Sequence, residues 1–140
     1  MNKILTIMSF AFLLLFFGCK KDHVDGPGDS PFMEELSATL PSEGGKVVLQ
    51  AKNVFFSIQY LTSIQSGDTI KQSFPDFNAG EQVISGSWFT VETIGNGESA
   101  LPKEIEVSVQ ANANSTERQL LITVWNGLRS DLVMLTQSPG

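Results

Sequence analysis

Cysteine and histidine each occur once, as Cys19 and His23. One cysteine closes no disulfide within a chain, and the two residues cannot supply the ligand cluster of a zinc site. Nucleophile–base catalysis is equally short of parts. No Gly-x-Ser-x-Gly is present, and no histidine follows residue 23 to activate a serine. Basic residues are few as well: 9 Lys and Arg stand against 15 Asp and Glu, a formal net charge of −6. No cluster of Lys or Arg offsets this acidity, which repels phosphate backbones and sets nucleic acid aside as a partner. No amphipathic helical run is found, and the one long apolar stretch lies at the start of the chain.

That stretch has the layout of a secretory leader. Lys3 gives a positive start, and Ile4 to Phe17 is apolar apart from Thr6 and Ser9. It is short for a membrane span and is flanked as a signal peptide is. Leu15-Phe16-Phe17-Gly18 before Cys19 resembles a bacterial lipobox, although Phe17 is bulkier than the small residue often found there. On this reading residues 1–18 are removed and Cys19 is lipidated. Each buried methylene of an acyl anchor contributes ~0.8 kcal/mol. Lys20 follows the cysteine, so the aspartate that retains many lipoproteins at the inner membrane is absent. The start Cys19-Lys20-Lys21-Asp22 resembles lipoproteins of the Bacteroidetes, which implies an outer-membrane, surface-exposed location with membrane contact through lipid alone. Asp22 to Glu35 is rich in Gly, Pro, Ser and acid and lacks periodicity. It reads as a flexible tether with His23 solvated inside it.

The remainder, 36–140, reads as short strands separated by turns. Leu36–Pro41 and Lys46–Lys52 flank a turn at Ser42-Glu43-Gly44-Gly45. Phe55–Ile64 is expected to place Phe56, Ile58 and Tyr60 on one face. Ser66-Gly67-Asp68 is a turn signal, with Thr69–Phe74 as its return strand. Glu81–Ser85 and Ser87–Thr93 follow, and for the latter the pattern leaves open which face meets the core. After a loop over Gly95–Pro102, Ile105, Val107 and Val109 alternate with Glu104, Glu106, Ser108 and Gln110, as in a half-buried strand.

The last two strands permit a test by parity. A two-residue loop at Asn126-Gly127 pairs Val124 with Arg129 and Ile122 with Asp131, burying two charges. A four-residue loop, Asn126 to Arg129, instead pairs Ile122 with Val133 and Leu120 with Leu135. The second is predicted. It places Leu121, Thr123 and Trp125 beside Met134, Leu132 and Ser130 on the opposite face, an unusually apolar one. Together these elements predict an all-β, immunoglobulin-like sandwich of about seven to eight antiparallel strands.

From Leu36 to Ser138 the chain resembles the BACON domains of Bacteroidetes proteins. The matching pieces are Gly44-Gly45-Lys46-Val47, Asn53, Phe56, Ser87-Trp88-Phe89-Thr90-Val91, Asn114, Arg118, Ile122-Thr123-Val124 and Leu135-Thr136-Gln137. Phe56 stands where that family usually has tryptophan, and Leu61–Gly86 is longer than its usual connection. The resemblance implies an immunoglobulin-like sandwich and a link to carbohydrate or mucin glycan.

Candidate chemistry is sparse. Glu104, Glu106, Asp76 and Glu81 are the carboxylates that a glycosidase pair would draw on. Glu104 and Glu106 share one strand face, as at a solvated edge, and no enzyme is expected. Asp68 and Asp76 lack calcium-ligand spacing, and neither a metal nor another cofactor is expected. Asn114-Ser115-Thr116 reads as a turn, and Arg118 as a stem lying over the core edge. Trp88 is expected in the core. For a glycan, an exposed aromatic beside hydrogen-bonding groups is the minimum. Trp125 with Asn126, Arg129 and Asp131 supplies it. The expectation is therefore a tethered, non-catalytic module binding carbohydrate or mucin glycan. The alternative is a structural or protein-interaction module of a cell-envelope complex.

Overall fold

A computed structural model of the chain describes residues 30–74, 82–95 and 102–140. The chain divides into two units, Met1–Ser30 and Pro31–Gly140. The expected leader, Cys19 and His23 lie outside the described residues, as do most of the loop after Gly95 and the segment 75–81. The second unit is all-β. Among the described residues nine strands form two sheets: β1 (Ser37–Leu40), β2 (Gly45–Gln50), β3 (Ser57–Gln65), β4 (Asp68–Ser73), β5 (Val83–Ser85), β6 (Phe89–Gly95), β7 (Pro102–Val109), β8 (Arg118–Trp125) and β9 (Ser130–Gln137). One sheet has the order β1-β9-β8-β3-β4 and the other β2-β7-β6-β5. The expected immunoglobulin-like sandwich is present, with one strand more than the upper count and one parallel pair, β1 with β9.

The core is built from the inward rows of both sheets. Leu120, Ile122 and Val124 of β8 alternate with half-buried residues, and Ile105, Val107 and Val109 of β7 face them from the second sheet. The β8–β9 register pairs Ile122 with Val133 and Leu120 with Leu135, as parity requires. The four-residue loop closes with the Asn126 N–H donating to the Arg129 carbonyl at 3.1 Å, and Gly127 sits at φ 95°. In β6 the open question is resolved for Phe89, Val91 and Thr93, all of which are buried. Trp88, immediately before the strand, is buried too. The strand carrying Glu104 and Glu106 is not an edge. β7 is hydrogen-bonded to β2 on one side and β6 on the other.

Two expectations are corrected. Phe56, Ile58 and Tyr60 do not share a face. The β3–β8 register shifts between Ile58 and Tyr60, so Gln59 is an extra residue. A bulge of this kind inverts the alternation beyond it. Leu61 and Ser63 then turn inward and Tyr60 points out. Residues 31–35, expected within a flexible tether, belong to the folded unit instead. Phe32 and Met33 are 2% and 0% exposed, and Met33 forms an isolated bridge with Ala51. The core residues thus run from Phe32 to Leu135, so this unit contains its own core.

Strand directions give the sandwich two distinct ends. The bridge at Ala51 and the β8–β9 loop lie at the end where the chain enters through Phe32. The β3–β4 turn, the start of β6 and the start of β8 lie at the other end. Eight residues at about 3.3 Å each separate the two ends by roughly 26 Å.

Candidate functional site

At the entry end the four residues expected to bind glycan lie on one hairpin, where Asn126 and Asp131 hold backbone amides. Asn126 Oδ1 accepts hydrogen bonds from the Leu128 and Arg129 N–H groups, both at 3.0 Å, so its side chain closes the loop. Asp131 Oδ2 accepts from Phe32 N–H at 2.7 Å and Met33 N–H at 2.9 Å. The Arg129 guanidinium lies 5.9 Å from the centre of the Phe32 ring. Trp125 is half-buried on the outer face opposite Ser130, where the hairpin parity places it. The loop thus fastens the incoming chain to the sandwich, and Asn126 and Asp131 turn hydrogen-bonding capacity inward.

The opposite end holds a concave site. Two residues, Ser66 at φ 51° and Gly67 at φ 84°, turn β3 into β4, so Gln65 faces Asp68 across the hairpin. Positive φ at both positions is what a tight hairpin turn demands. The register places Ser63 opposite Ile70 and Gln65 opposite both Asp68 and Arg118. These are inward rows, where a sandwich ordinarily places apolar side chains. Here they are Ser63, Gln65 and Asp68, and Ile70 remains 59% exposed because the shorter sheet does not cover it. A cleft of about 280 Å³ results, lined by Ser63, Gln65, Ser66, Asp68 and Ile70 on one side and by Ser87 and Trp88 on the other.

Trp88 is held from several directions. Its ring meets Phe89 edge-on with centroids 5.2 Å apart, and the Arg118 guanidinium lies 5.3 Å from its centre. Its carbonyl accepts a hydrogen bond from Gln110 N–H at 2.9 Å. A Cβ at Gly86 would collide with the Phe89 ring, so glycine there is what lets this aromatic pair seat. Behind the cleft, two buried amides clamp the chain. Gln137 Nε2 donates to the carbonyls of Gln110 at 2.8 Å and Pro41 at 3.2 Å. Asn112 Nδ2 donates to those of Thr116 at 2.9 Å and Ser138 at 3.0 Å, while its Oδ1 accepts from Asn114 N–H. Asn112, unremarkable in a polar connection, is the buried asparagine there, and Asn114 is the residue it holds. The expected role of Arg118 at the core edge is met, since it is buried against Trp88.

Chemically the cleft offers hydroxyls, an amide and one carboxylate around an aromatic edge and an aliphatic side chain. Among the described residues no group of three or more His, Cys, Asp or Glu could hold a metal ion. The resolved electrostatic shift lies elsewhere, on the outer face of the four-stranded sheet. Lys46 Nζ donates to Glu106 Oε1 at 2.6 Å. That hydrogen bond, with the charges of Glu106 and then Glu92, raises the lysine above its ordinary value.

The fold and these features define an immunoglobulin-like β-sandwich with a polar end cleft. No protein-family model matches the chain, and no curated protein matches it. A solved structure, the NMR structure of a protein from Bacteroides thetaiotaomicron, is similar, with 18% sequence identity and a TM-score of 0.52. The likeness covers 79% of this chain and 82% of that one and bears on the fold.

Proposed function

We propose that this chain is a surface-tethered, non-catalytic binding module for carbohydrate, taken at the end cleft. The observation that carries the reading is the polar breach in the core pattern. Ser63, Gln65 and Asp68 occupy inward positions and meet Ser87 and Trp88 across a space open to solvent. Departures from binary patterning of this kind concentrate at functional sites. Hydroxyl, amide and carboxylate groups match sugar hydroxyls, and the Trp88 edge and Ile70 match the apolar side of a ring. The BACON-like motifs support the same class. The leader and Cys19 support a lipid anchor at the outer membrane, and the cleft lies at the end away from the chain's entry.

The test is intrinsic fluorescence of the 23–140 fragment, whose two tryptophans are Trp88 and Trp125, titrated with mucin glycans and plant polysaccharides. A saturable change is expected, weakened at least ~10-fold, or ~1.4 kcal/mol, by Asp68→Ala and unaltered in affinity by Trp125→Ala. Loss in Trp125→Ala with retention in Asp68→Ala would move the ligand to the outer face. No response to any glycan would sink the reading. A specific observation favours the second reading, a protein-interaction module: Leu132 and Met134 are 50% and 41% exposed on neighbouring rows of one sheet face.

A further inference from the structure

The outer face of the five-stranded sheet differs in charge from the rest of the chain. Tyr60, Leu121, Leu132 and Met134 lie on adjacent rows of it, set by the β3–β8 and β8–β9 registers. No Asp or Glu occupies an outward position on β1, β9, β8, β3 or β4. The two carboxylates within these strands, Asp68 and Asp131, both occupy inward register positions. Lys71 is the only charged residue on that outward set, and its ammonium lies over the Tyr60 ring at 4.8 Å. In a chain of 15 acidic residues and net charge −6, five strands whose described outward positions hold no carboxylate are a marked departure, and the nearest one, Glu117, lies at the cleft end, where it accepts a hydrogen bond from Gln119 Nε2 at 2.8 Å.

We propose that this face is the contact between two copies of the chain, packed sheet against sheet about a two-fold axis. Two copies of an acidic protein repel one another, and the approach is easiest where the facing strands carry no carboxylate and Glu117 stands only at the margin. The opposite face, with Glu92, Glu104 and Glu106 on outward rows, is the hardest place to meet. Aligned sheets stack about 10 Å apart with interdigitated side chains, which suits Leu121, Leu132 and Met134. Strands roughly 26 Å long, spaced about 4.8 Å apart, offer roughly 500 Å² per copy. Together that reaches about 1,000 Å², the lower bound for a specific interface, so the dimer is weak and depends on concentration. The contact is isologous, each copy using the same residues. The cleft lies on inward rows and stays open. This inference therefore goes beyond carbohydrate binding and stands without it.

Sedimentation equilibrium of the 23–140 fragment over a wide concentration range is the test. The mass is expected to rise reversibly from monomer to dimer. Met134→Glu and Leu132→Glu, at exposed positions that leave the core intact, each weaken association at least ~10-fold by placing carboxylates against an apolar surface. Val48→Glu, at a 44% exposed apolar position on the opposite face, leaves it unchanged apart from a small added long-range repulsion that salt removes. Added salt tightens the wild-type dimer by screening the repulsion between the two acidic bodies. A monomer at every concentration would overturn the proposal. Equal weakening by Val48→Glu and Met134→Glu in high salt would also do so. A monomeric protein whose glycan response is lost in Met134→Glu would assign the face to a glycan instead. Circular dichroism melts of each variant confirm that the comparison is made on folded protein.

Discussion

The four-stranded sheet turns Glu92, Glu104 and Glu106 outward, with Lys46 and Gln50 among them, whereas the described strands of the five-stranded sheet turn out Tyr60, Leu121, Leu132 and Met134 and no carboxylate of their own. Both sheets close the same core with their inward rows, broken in the five-stranded sheet by Ser63, Gln65 and Asp68 at the cleft end, so the difference between the outer faces is not needed to make the sandwich. On the acidic face Glu92 stands directly opposite Glu106, an arrangement that costs stability, and Lys46 partly offsets it. That face also exposes Val48 and Val83, but its carboxylates make self-contact costly. The other keeps exposed apolar side chains on adjacent rows, which tend to mark a contact surface.

The contrast can be broken or sharpened by substitution. The largest effect is expected where the apolar sheet holds its edge. Asp131→Ala removes the acceptor of the Phe32 and Met33 N–H groups, just upstream of β1. A loss of about 2–4 kcal/mol is expected in urea unfolding, with faster hydrogen exchange along β1. Gly86→Ala is next, since its methyl group displaces Phe89 and with it Trp88. A cost of about 1–3 kcal/mol is expected, together with a changed tryptophan emission spectrum. On the acidic face Glu92→Gln relieves a direct like-charge opposition. It is expected to stabilise by about 0.2–1 kcal/mol at low salt. Association through the other face should change little.

The smallest effect is the titration of Lys46. Its folded-state value is raised by Glu106, so the pair contributes fully below the ordinary lysine value and is lost as pH rises through the raised one. The side chain is exposed and screened, so the difference between wild type and Lys46→Met in an alkaline stability series is expected to be slight and to fade with salt.

How much of this was readable from the residues depends on whether the information was local. Ile122 with Val133 and Leu120 with Leu135 followed from parity, because a wrong loop length buries Arg129 and Asp131. The inversion at Gln59 left no compositional mark, since Phe56, Ile58 and Tyr60 alternate as an unbroken strand does. Phe32 and Met33 sit among acid, glycine and proline, and only the distant Asp131 shows why they are ordered. The loop at Asn126 was correctly found as a turn with an outward tryptophan, but the use of Asn126 and Asp131 by backbone amides belongs to tertiary structure. The cleft was hidden for the same reason. Ser63 and Gln65 count as polar positions until the bulge turns them inward, and their meeting with Trp88 depends on which sheet edge ends first.

The parallel pairing of β1 with β9 has a mechanical consequence. The chain enters at one end of the sandwich and the cleft opens at the other. When a load pulls the cleft away from the incoming chain, β1 is drawn lengthwise against β9. The register from Ser37–Met134 to Leu40–Gln137 is then loaded all at once, along the strands, rather than peeled apart pair by pair. Shear of this kind shares tension among the bonds, and the two amides on Asp131 lie in series ahead of them. Load along the axis between entry and cleft therefore meets the β1–β9 pairing in shear.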